Sequence, residues 1–145
     1  MTLLVSACLL GLPCRYDGAA KPAPQVLELI AEHRLIPVCP EQLGGLPTPR
    51  PPAECRGCRV INRAGRDVTA EYTRGAQCAF MLARLYDCQG AILKERSPSC
   101  GCGHIYDGSF SGTLIPGDGV TARLLKAHGI PVTGESCPAA LFPKK

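Results

Sequence analysis

The sequence predicts an α/β protein in which a mainly parallel sheet is covered by helices on both faces. Three short apolar runs, TLLVS, LIPVC and GAILKE, have the length and composition of buried strands. Segments with helical spacing of apolar residues separate them, and strands that alternate with helices form parallel sheets. The chain has 145 residues, 46% of them apolar, which is enough for one compact core. We therefore expect a single domain over residues 1–145.

The N-terminal part of the chain has the pattern of a β-α-β unit. TLLVS is the first strand, and the Gly- and Pro-containing segment GLPCRYDG is its outgoing turn. Pro24 suits the first turn of a helix that places Leu27 and Ile30 at helical spacing. LIPVC is the second strand and ends at Cys39. The Pro-rich segment 40–52 is then predicted to be an ordered loop without a helix.

The alternation continues in the middle of the chain. Residues 59–68, RVINRAGRDV, have the pattern of a small hairpin that turns at Ala64 and Gly65. Thr69 can cap a helix that runs to about Tyr86, with a broadly apolar face that indicates packing on a sheet. GAILKE supplies the third strand.

The last elements complete the predicted fold. Residues 97–112, SPSCGCGHIYDGSFSG, form a loop by composition. Asp118 is expected to cap a helix through Ala127, Gly129 to end it, and IPVTG to form the last strand. Together the elements predict a three-layer, Rossmann-like arrangement with helices on both faces of the sheet.

Composition excludes several classes of protein. The net charge of +4 is spread along the chain, without the dense basic clusters of a dedicated nucleic-acid-binding protein. Aromatic residues make up 5% and Trp is absent, so a base-stacking surface is poorly supplied. No apolar run approaches the roughly 18 residues of a membrane span, and the start of the chain lacks the basic leader of a secretory signal. We expect a cytoplasmic protein without membrane contact, in which RNA contact is allowed but not required.

Ten cysteines are the most unusual feature of the composition. A reducing cytosol disfavours a disulfide framework, which leaves metal binding or thiol chemistry. Cys8, Cys39 and Cys100 each follow a predicted strand, and ligands of parallel α/β sheets bind at the carboxyl ends of the strands. Three thiolates at one edge suit an iron-sulfur cluster or a zinc ion with one coordination position open for substrate. The alternative for any one of them is a small buried apolar residue.

A second group of cysteines allows a different metal site. Cys55 and Cys58 form a CxxC, and Cys100 and Cys102 form a CxC, so these four predict, as an alternative, a four-sulfur zinc site. A thioredoxin-like redox role for the CxxC requires a helix after a strand, whereas a hairpin is predicted there.

Four cysteines and a histidine remain. Cys78 and Cys88 lie on or just after the apolar helix, which indicates core packing. Cys14 and Cys137 stay undecided, because each fits either a place beside the site or a spare ligand. His104 lies near the CGCG segment, but a lone histidine is more often structural.

Five motifs occur in a fixed order: CLLGLPCRYDG, VCPEQLGGLPTPRPPAE, GRDVT, LKERSPSCG and IYDGSFSG. In this order they resemble the thiouracil desulfidase family, in its short single-domain form, over nearly the whole chain. Several motifs in matching order are far harder to obtain by chance than one short pattern. The chain differs from the usual family pattern in the CRGC after PPAE and in the second cysteine of CGCG.

The resemblance implies a [4Fe-4S] cluster held by three cysteines, with the fourth iron taking the sulfur of a thiolated pyrimidine without net redox change. By motif position the cluster ligands are Cys8 of CLLG, Cys39 of CPE and Cys100 of SPSCG. The acidic catalytic residue falls on Glu41, and the catalytic serine falls on Ser97. The implied reaction is hydrolytic C–S cleavage of a 2- or 4-thiouracil-like base, giving uracil and sulfide.

The chemistry assigns a task to each catalytic candidate. Glu41 is expected to take a proton from the attacking water and return it to a ring nitrogen, and Ser97 to hydrogen-bond the base or position the water. The plain alternatives are a solvated loop carboxylate and a turn residue before Pro98. Four charged residues are candidates to frame the pocket by charge pairing: Arg50, Glu54, Lys94 and Glu95.

The sequence therefore supports three hypotheses for the function. The first is the desulfidase, whose partner is a thiolated nucleobase, either a small molecule or a component of RNA. The second is a zinc-binding nucleic-acid or interaction module. The third is sulfur transfer, in which the cluster hands an extra sulfur to an acceptor protein.

Overall fold

The computed structural model describes residues 1–142, and this part of the chain contains eight strands and four α-helices. In chain order these are β1 (Thr2–Ser6), α1 (Pro24–Leu27), β2 (Arg34–Val38), α2 (Pro40–Leu43), β3 (Ala53–Arg56), β4 (Arg59–Asn62), α3 (Thr69–Leu85), β5 (Gly90–Leu93), β6 (His104–Tyr106), β7 (Leu114–Pro116), α4 (Val120–Ala127) and β8 (Val132–Gly134). Short 3-10 turns cover Ala7–Leu10, Glu28–Ala31 and Pro138–Leu141. None of the helices in the described residues has the length and apolar character needed to cross a membrane.

Four parallel strands form the central sheet, in the order β2-β1-β5-β8. From β1 the chain first adds β2 on one side, and it later returns to place β5 on the other side of β1. In such sheets a crevice forms at the carboxyl edge where the connections leave in opposite directions, and ligands bind there. The predicted α/β fold with a parallel, Rossmann-like sheet is confirmed.

The core lies on both faces of this sheet. Leu3, Val5 and Ile92 are fully buried and pack on the side of α1 and the C-terminal 3-10 turn. Leu4 and Leu93 are equally buried and pack on the side of α3 and α4. Alternate residues of each strand thus face opposite layers, which is why the strands read as continuous apolar runs.

A smaller core lies under the two hairpins, β3-β4 and β6-β7. Its buried residues include Val60 from β4, Tyr72 from α3 and Ile105 from β6. The hairpins come between the strands of the central sheet in the chain. They contribute lining residues to the cavity described below.

The structure forms the expected hairpin over residues 59–68 and adds a second one before it. In the expected hairpin the chain turns at Ala64 and Gly65, Ile61 is bridged antiparallel to Asp67, and the Val68 N–H donates to the Val60 carbonyl oxygen at 2.9 Å. The second hairpin, in which β4 pairs with β3, was not predicted, and it turns at Gly57 and Cys58. Gly57 has a φ of +60°, a conformation that glycine adopts without the steric cost of a side chain, and this fixes the turn.

Three loop and helix boundaries also differ from expectation. Segment 40–52 was expected to contain no helix, but it opens with α2, since Pro40 needs no N–H in the first turn. Segment 97–112, expected to be a loop throughout, contains β6. At the start of α3, Thr69 is the first helical residue rather than the cap, and Val68 holds the N-cap position without a side-chain cap. Asp67 precedes it, and its Oδ1 accepts a hydrogen bond from the Thr69 N–H at 2.9 Å.

The start of α4 is a further correction. Gly119 occupies the N-cap position, and no side chain caps the helix there. Asp118 instead accepts a hydrogen bond from the Gly103 N–H at 2.8 Å and forms an ion pair with Lys126 at 3.0 Å. Asp118 therefore ties the loop after β5 to α4.

Candidate active site

A cavity of about 540 Å³ opens at the carboxyl edge of the sheet, between the loops that follow β1, β2 and β5. Four cysteines line it: Cys8, Cys14, Cys39 and Cys100. The structure thus brings together the three cysteines predicted from the strand ends, although 31 and 61 residues separate them in the chain. Their convergence follows from the strand order.

Cys8 and Cys39 occupy the turns that leave β1 and β2. Cys8 lies in the 3-10 turn directly after β1 and is buried. Cys39 is the single residue between β2 and α2, and its thiol donates to the carbonyl oxygen of Cys14 at 3.7 Å. Ser6 and Val38 are partners in the parallel pairing of β1 and β2, so the two turns start at the same level.

Cys100 reaches the same edge through a tight turn after β5. The Ser97 hydroxyl oxygen accepts hydrogen bonds from the N–H groups of Ser99 and Cys100, each at 3.1 Å. Next to β5, the Lys94 N–H donates to the Ser6 hydroxyl at 2.8 Å. These bonds fix the position of the cysteine relative to the end of β1.

Cys14, which the sequence left undecided, is a fourth thiol in this cavity. It is buried, and its carbonyl oxygen accepts a hydrogen bond from Arg50 Nη2 at 2.9 Å. Its thiol interacts with the thiols of Cys8 and Cys39. Cys14 therefore lies directly beside two of the predicted ligands.

Without a metal, three thiols of the cavity have a raised pKa: those of Cys14, Cys39 and Cys100. Burial raises the pKa of the Cys100 thiol to about 12. The hydrogen bond with the Cys14 thiol, together with burial, raises the pKa of Cys39. For Cys14, the bond with Cys39 lowers the pKa, but the contact with Cys8 and burial outweigh it, so the pKa is raised. Thiolates are stable here when a bound cation balances their charge.

The donor set fits an iron-sulfur cluster better than a single metal ion. Between residues 1 and 142, no three His, Cys, Asp or Glu side chains converge closely enough to hold one ion. The ligands of a cluster lie farther apart than those of a single ion, because each thiolate binds a different iron and the ligand sulfurs surround a larger group. Three thiols that line one cavity suit this arrangement.

Glu41 presents its carboxylate to the cavity from α2, two residues after Cys39. Its Oε1 accepts hydrogen bonds from Arg50 Nε at 2.9 Å and from the Tyr72 hydroxyl at 2.8 Å. Burial and the neighbouring carboxylate raise the pKa of Tyr72, so the phenol is a neutral donor. The side chain of Glu41 is 16% exposed. Its surroundings differ from those of a solvated loop carboxylate.

Arg50 joins the loops around the cavity. Its side chain is 4% exposed. Besides Glu41, it donates to the carbonyl oxygen of Cys14 at 2.9 Å, to that of Pro47 at 3.2 Å and to the Thr48 hydroxyl at 2.9 Å. Burial alone would lower the pKa of Arg50, but the Glu41 carboxylate raises it above its usual value. The guanidinium is thus charged, and each of its three nitrogens donates a hydrogen bond to the residues around the cavity.

Ser97 lines the cavity, but its oxygen already serves the turn that carries Cys100. Since the oxygen accepts two hydrogen bonds, the hydroxyl proton is left to donate. The structure therefore supports the turn role of Ser97 directly. It also allows one donated hydrogen bond to a molecule in the cavity.

The four charged residues expected to frame the pocket all line it, and each is bonded to a neighbour. Glu54 Oε1 accepts hydrogen bonds from N–H groups in the turn 108–110, at 3.0 and 3.1 Å. Lys94 pairs with Glu135 at 2.8 Å. Glu95 accepts hydrogen bonds from the turn after β8. The cavity wall is thus built from structural ion pairs and main-chain contacts.

The cysteines of the alternative zinc site point in different directions. The buried Cys55 thiol donates to the carbonyl oxygen of Pro98 at 3.5 Å. Cys58 is exposed at the hairpin turn. The Cys102 thiol donates to the carbonyl oxygen of Val132 at 3.4 Å. A four-sulfur zinc site is therefore not formed.

The remaining cysteines and the histidine lie away from the cavity. Cys88 packs against the core beneath α3 and α4, as expected. Cys78 is half-buried on α3, and Cys137 is exposed. His104 is exposed on β6. None of the four lines the cavity.

Sequence reasoning missed Tyr72 as a residue of the site. Tyr72 is buried on the apolar face of α3, and its hydroxyl donates a hydrogen bond to Glu41. The sequence feature that could have indicated this hydrogen bond is a tyrosine on a helix face of mostly small apolar residues. A buried tyrosine usually needs a hydrogen-bond partner.

Comparisons with known proteins find a family model, a relative and a solved structure that are similar to this chain. The family model described as 2-thiouracil desulfurase matches residues 3–136. A protein of Bacillus subtilis (strain 168), described as uncharacterized protein YbbK, is 42% identical over 144 residues, covering 92% of this chain and 95% of its own length. A solved structure of the [4Fe-4S]-dependent thiouracil desulfidase TudS has a TM-score of 0.91 and 49% identity, and the match covers 97% of this chain and 94% of that chain.

Proposed function

The chain belongs to the 2-thiouracil desulfurase family, and we propose that it removes sulfur from a thiolated pyrimidine at a [4Fe-4S] cluster held by Cys8, Cys39 and Cys100. The observation that carries this proposal is the convergence of these three strand-end thiols on one cavity that also presents Glu41. The solved relative, 49% identical, is a [4Fe-4S]-dependent thiouracil desulfidase. The reaction exchanges C=S for C=O, consumes one water, releases sulfide and transfers no net electrons.

The ligand assignment rests on position and chemistry. Each of the three cysteines lies in a turn that leaves a strand of the parallel sheet, where small groups bind. Soft thiolates are the usual ligands of iron-sulfur clusters. Because a [4Fe-4S] cluster has four irons, three cysteine ligands leave one iron without a protein ligand. A catalytic site requires such an open coordination position.

The acid-base chemistry falls to Glu41. When bound, the cluster supplies a Lewis-acidic iron that polarises the thiocarbonyl group through its sulfur. Glu41 takes a proton from the water that attacks the ring carbon and returns it to the ring nitrogen of the deprotonated thiobase, and the second proton of the water leaves with the sulfide as HS⁻. General acid-base help of this kind is typically worth roughly 10² to 10⁴ in rate.

Ser97 has a supporting task in this proposal. Its oxygen accepts from the two N–H groups of the turn that carries Cys100, so its hydroxyl proton is available to the cavity. We assign it to donate one hydrogen bond to the base or to the attacking water. Because the same side chain shapes the ligand turn, its replacement is expected to affect cluster binding as well as turnover.

The substrate is a thiolated nucleobase, and the proposal includes a base that is carried in RNA. The cavity of about 540 Å³ lies within the roughly 300–1,000 Å³ that is typical of small-molecule sites. We place the reaction in the cytoplasm, because all ten cysteines are free and a reducing compartment keeps them so. We also propose that residues 1–145 act as a single domain.

The direct test is an assay of anaerobically reconstituted protein with 2-thiouracil and 4-thiouracil. We expect about four iron atoms and four acid-labile sulfides per chain, with release of sulfide and uracil in equal amounts. Zinc without iron or labile sulfide after anaerobic purification would indicate the zinc module instead. Turnover that requires an added sulfur-accepting protein would indicate sulfur transfer. A fully loaded protein that releases no sulfide from any thiobase would refute the proposed function.

A further inference from the structure

Three separate elements meet at the carboxylate of Glu41. The residue itself lies on α2, Tyr72 comes from the second turn of α3, and Arg50 comes from the Pro-rich loop between α2 and β3. Within residues 1–142, both side-chain hydrogen bonds to Glu41 go to the same oxygen, Oε1. The second oxygen, Oε2, accepts no side-chain hydrogen bond from these residues, while Glu41 lines the cavity.

A close contact between α2 and α3 makes this meeting possible. A Cβ at Gly75 of α3 would overlap the carbonyl oxygen of Pro40, and a Cβ at Gly44 would overlap the carbonyl oxygen of Glu71. The two backbones therefore touch at a pair of glycines, with no side chain between them. This approach lets the Tyr72 hydroxyl reach a carboxylate on α2.

Arg50, in the loop after α2, links the same carboxylate to the loop after β1. Its main-chain N–H donates to the carbonyl oxygen of Tyr16 at 2.8 Å, and its guanidinium donates to that of Cys14 at 2.9 Å. Both acceptors lie in the loop after β1. Arg50 thus sets the distance between the loop that carries Cys8 and the helix that carries Glu41.

We propose that Tyr72 and Arg50 are positioning residues, which hold Glu41 by Oε1 and aim Oε2 at the substrate. Neither residue is assigned proton transfer. The inference rests on the proposed function, because it concerns the residue that activates water there. Orientation of this kind is costly to lose, since a small displacement of a catalytic group lowers the rate of the chemical step.

The test is a double-mutant cycle on the anaerobically reconstituted holoenzyme. Tyr72→Phe removes one hydroxyl oxygen and keeps the packed ring, so we expect kcat to fall on the order of tenfold, with KM for 2-thiouracil and iron content unchanged. In a Glu41→Gln background the same change should lower kcat by less than about twofold, because residues that act as one unit are not additive. Single-turnover assays at high enzyme concentration keep the slow variants measurable.

Arg50→Lys provides a second variant, because it keeps the charge but loses the planar set of donors. We expect the same pattern, with a lower kcat and no further loss in the Glu41→Gln background. The matched controls are Tyr86→Phe, at the end of α3, and Arg59→Lys, whose side chain is 71% exposed on β4. Both controls should keep the wild-type kcat and iron content.

Several results would overturn the inference. A loss of equal size in both backgrounds would mean that Tyr72 acts directly or only stabilises the fold. A raised KM with an unchanged kcat would place it in substrate binding, and a lower iron content would place it in cluster binding. Loaded wild-type protein that releases no sulfide is a distinct result, because it refutes the desulfidase function rather than the positioning of Glu41.

Discussion

The cysteines of the cavity are far apart in the sequence but close in space, whereas those of the β3-β4 hairpin are close in the sequence but do not share a site. Cys8, Cys39 and Cys100 share no local motif, yet they line one cavity. Cys55 and Cys58 form a compact CxxC, yet one thiol is buried against the Pro98 carbonyl and the other is exposed. Parallel strands bring distant residues together at their ends, whereas a two-residue hairpin turn separates close ones.

The difference has a physical basis in the backbone. In the parallel sheet the residues after β1 and β2 start from paired positions, so their turns open at the same edge. In the hairpin, Cys55 is paired with Val60 in the ladder, while Cys58 lies in the turn itself. Position relative to a strand end is therefore a better guide to a shared site here than distance along the chain.

The largest expected effect tests whether the two groups of cysteines really differ in function. Replacing Cys8, Cys39 or Cys100 with Ser should reduce iron from about four atoms per chain to near background, because two thiolates hold a cluster poorly. Iron and labile-sulfide analysis after anaerobic reconstitution measures this. Cys58→Ser is the matched control and should bind iron as the wild type does. Equal iron loss in that control would remove the distinction.

A second large effect concerns chemistry rather than cluster binding. Glu41→Gln keeps the size of the side chain and removes its ability to accept a proton, so kcat for sulfide release should fall by roughly 10² to 10⁴. Iron content and the absorption spectrum should stay unchanged. The exposed Glu28→Gln variant serves as the control. A Glu41→Gln enzyme with normal kcat would show that the carboxylate takes no part in proton transfer.

Much of the fold could be predicted from the sequence because its signals are local. The runs TLLVS, LIPVC and GAILKE correspond to β1, β2 and β5, and helix α3 runs as the spacing predicts. The parallel pairing then follows from alternation with helices. The hairpin that turns at Ala64 and Gly65 forms as predicted, whereas the pairing of β4 with β3 was missed because it depends on a further turn at Gly57.

The candidate site was predictable only in part. The strand-end cysteines and Glu41 follow from motif and topology, but the bond between Tyr72 and Glu41 joins residues 31 apart. That bond depends on how closely α2 and α3 approach, which the contact of Gly44 with Gly75 determines. Tertiary packing of two backbones leaves no periodic pattern in a single sequence, so this contact could not be inferred.

A third, smaller effect tests that glycine contact. At an exposed position in a helix, Gly→Ala usually stabilises by about 0.5–1 kcal/mol. Gly75→Ala should instead destabilise by roughly 1–3 kcal/mol, because the added Cβ overlaps the Pro40 carbonyl oxygen and forces α2 away. The free energy of unfolding from denaturant titration gives the sign, and kcat should fall with it. The exposed Thr73→Ala variant controls for changes in helix propensity.

The smallest effect returns to the hairpin thiol that lies nearest the site. Cys55 is 5% exposed, and its thiol donates to the carbonyl of Pro98, two residues before Cys100. If Cys55 is only a packing residue, Cys55→Ala should cost roughly 1 kcal/mol of stability through the small cavity it leaves. Iron content should not change, and kcat should vary by less than about twofold. Chemical denaturation and iron analysis of the same samples separate the two outcomes. Loss of iron at unchanged stability would instead make the hairpin part of the cluster site, and the contrast between the two groups of cysteines would no longer hold.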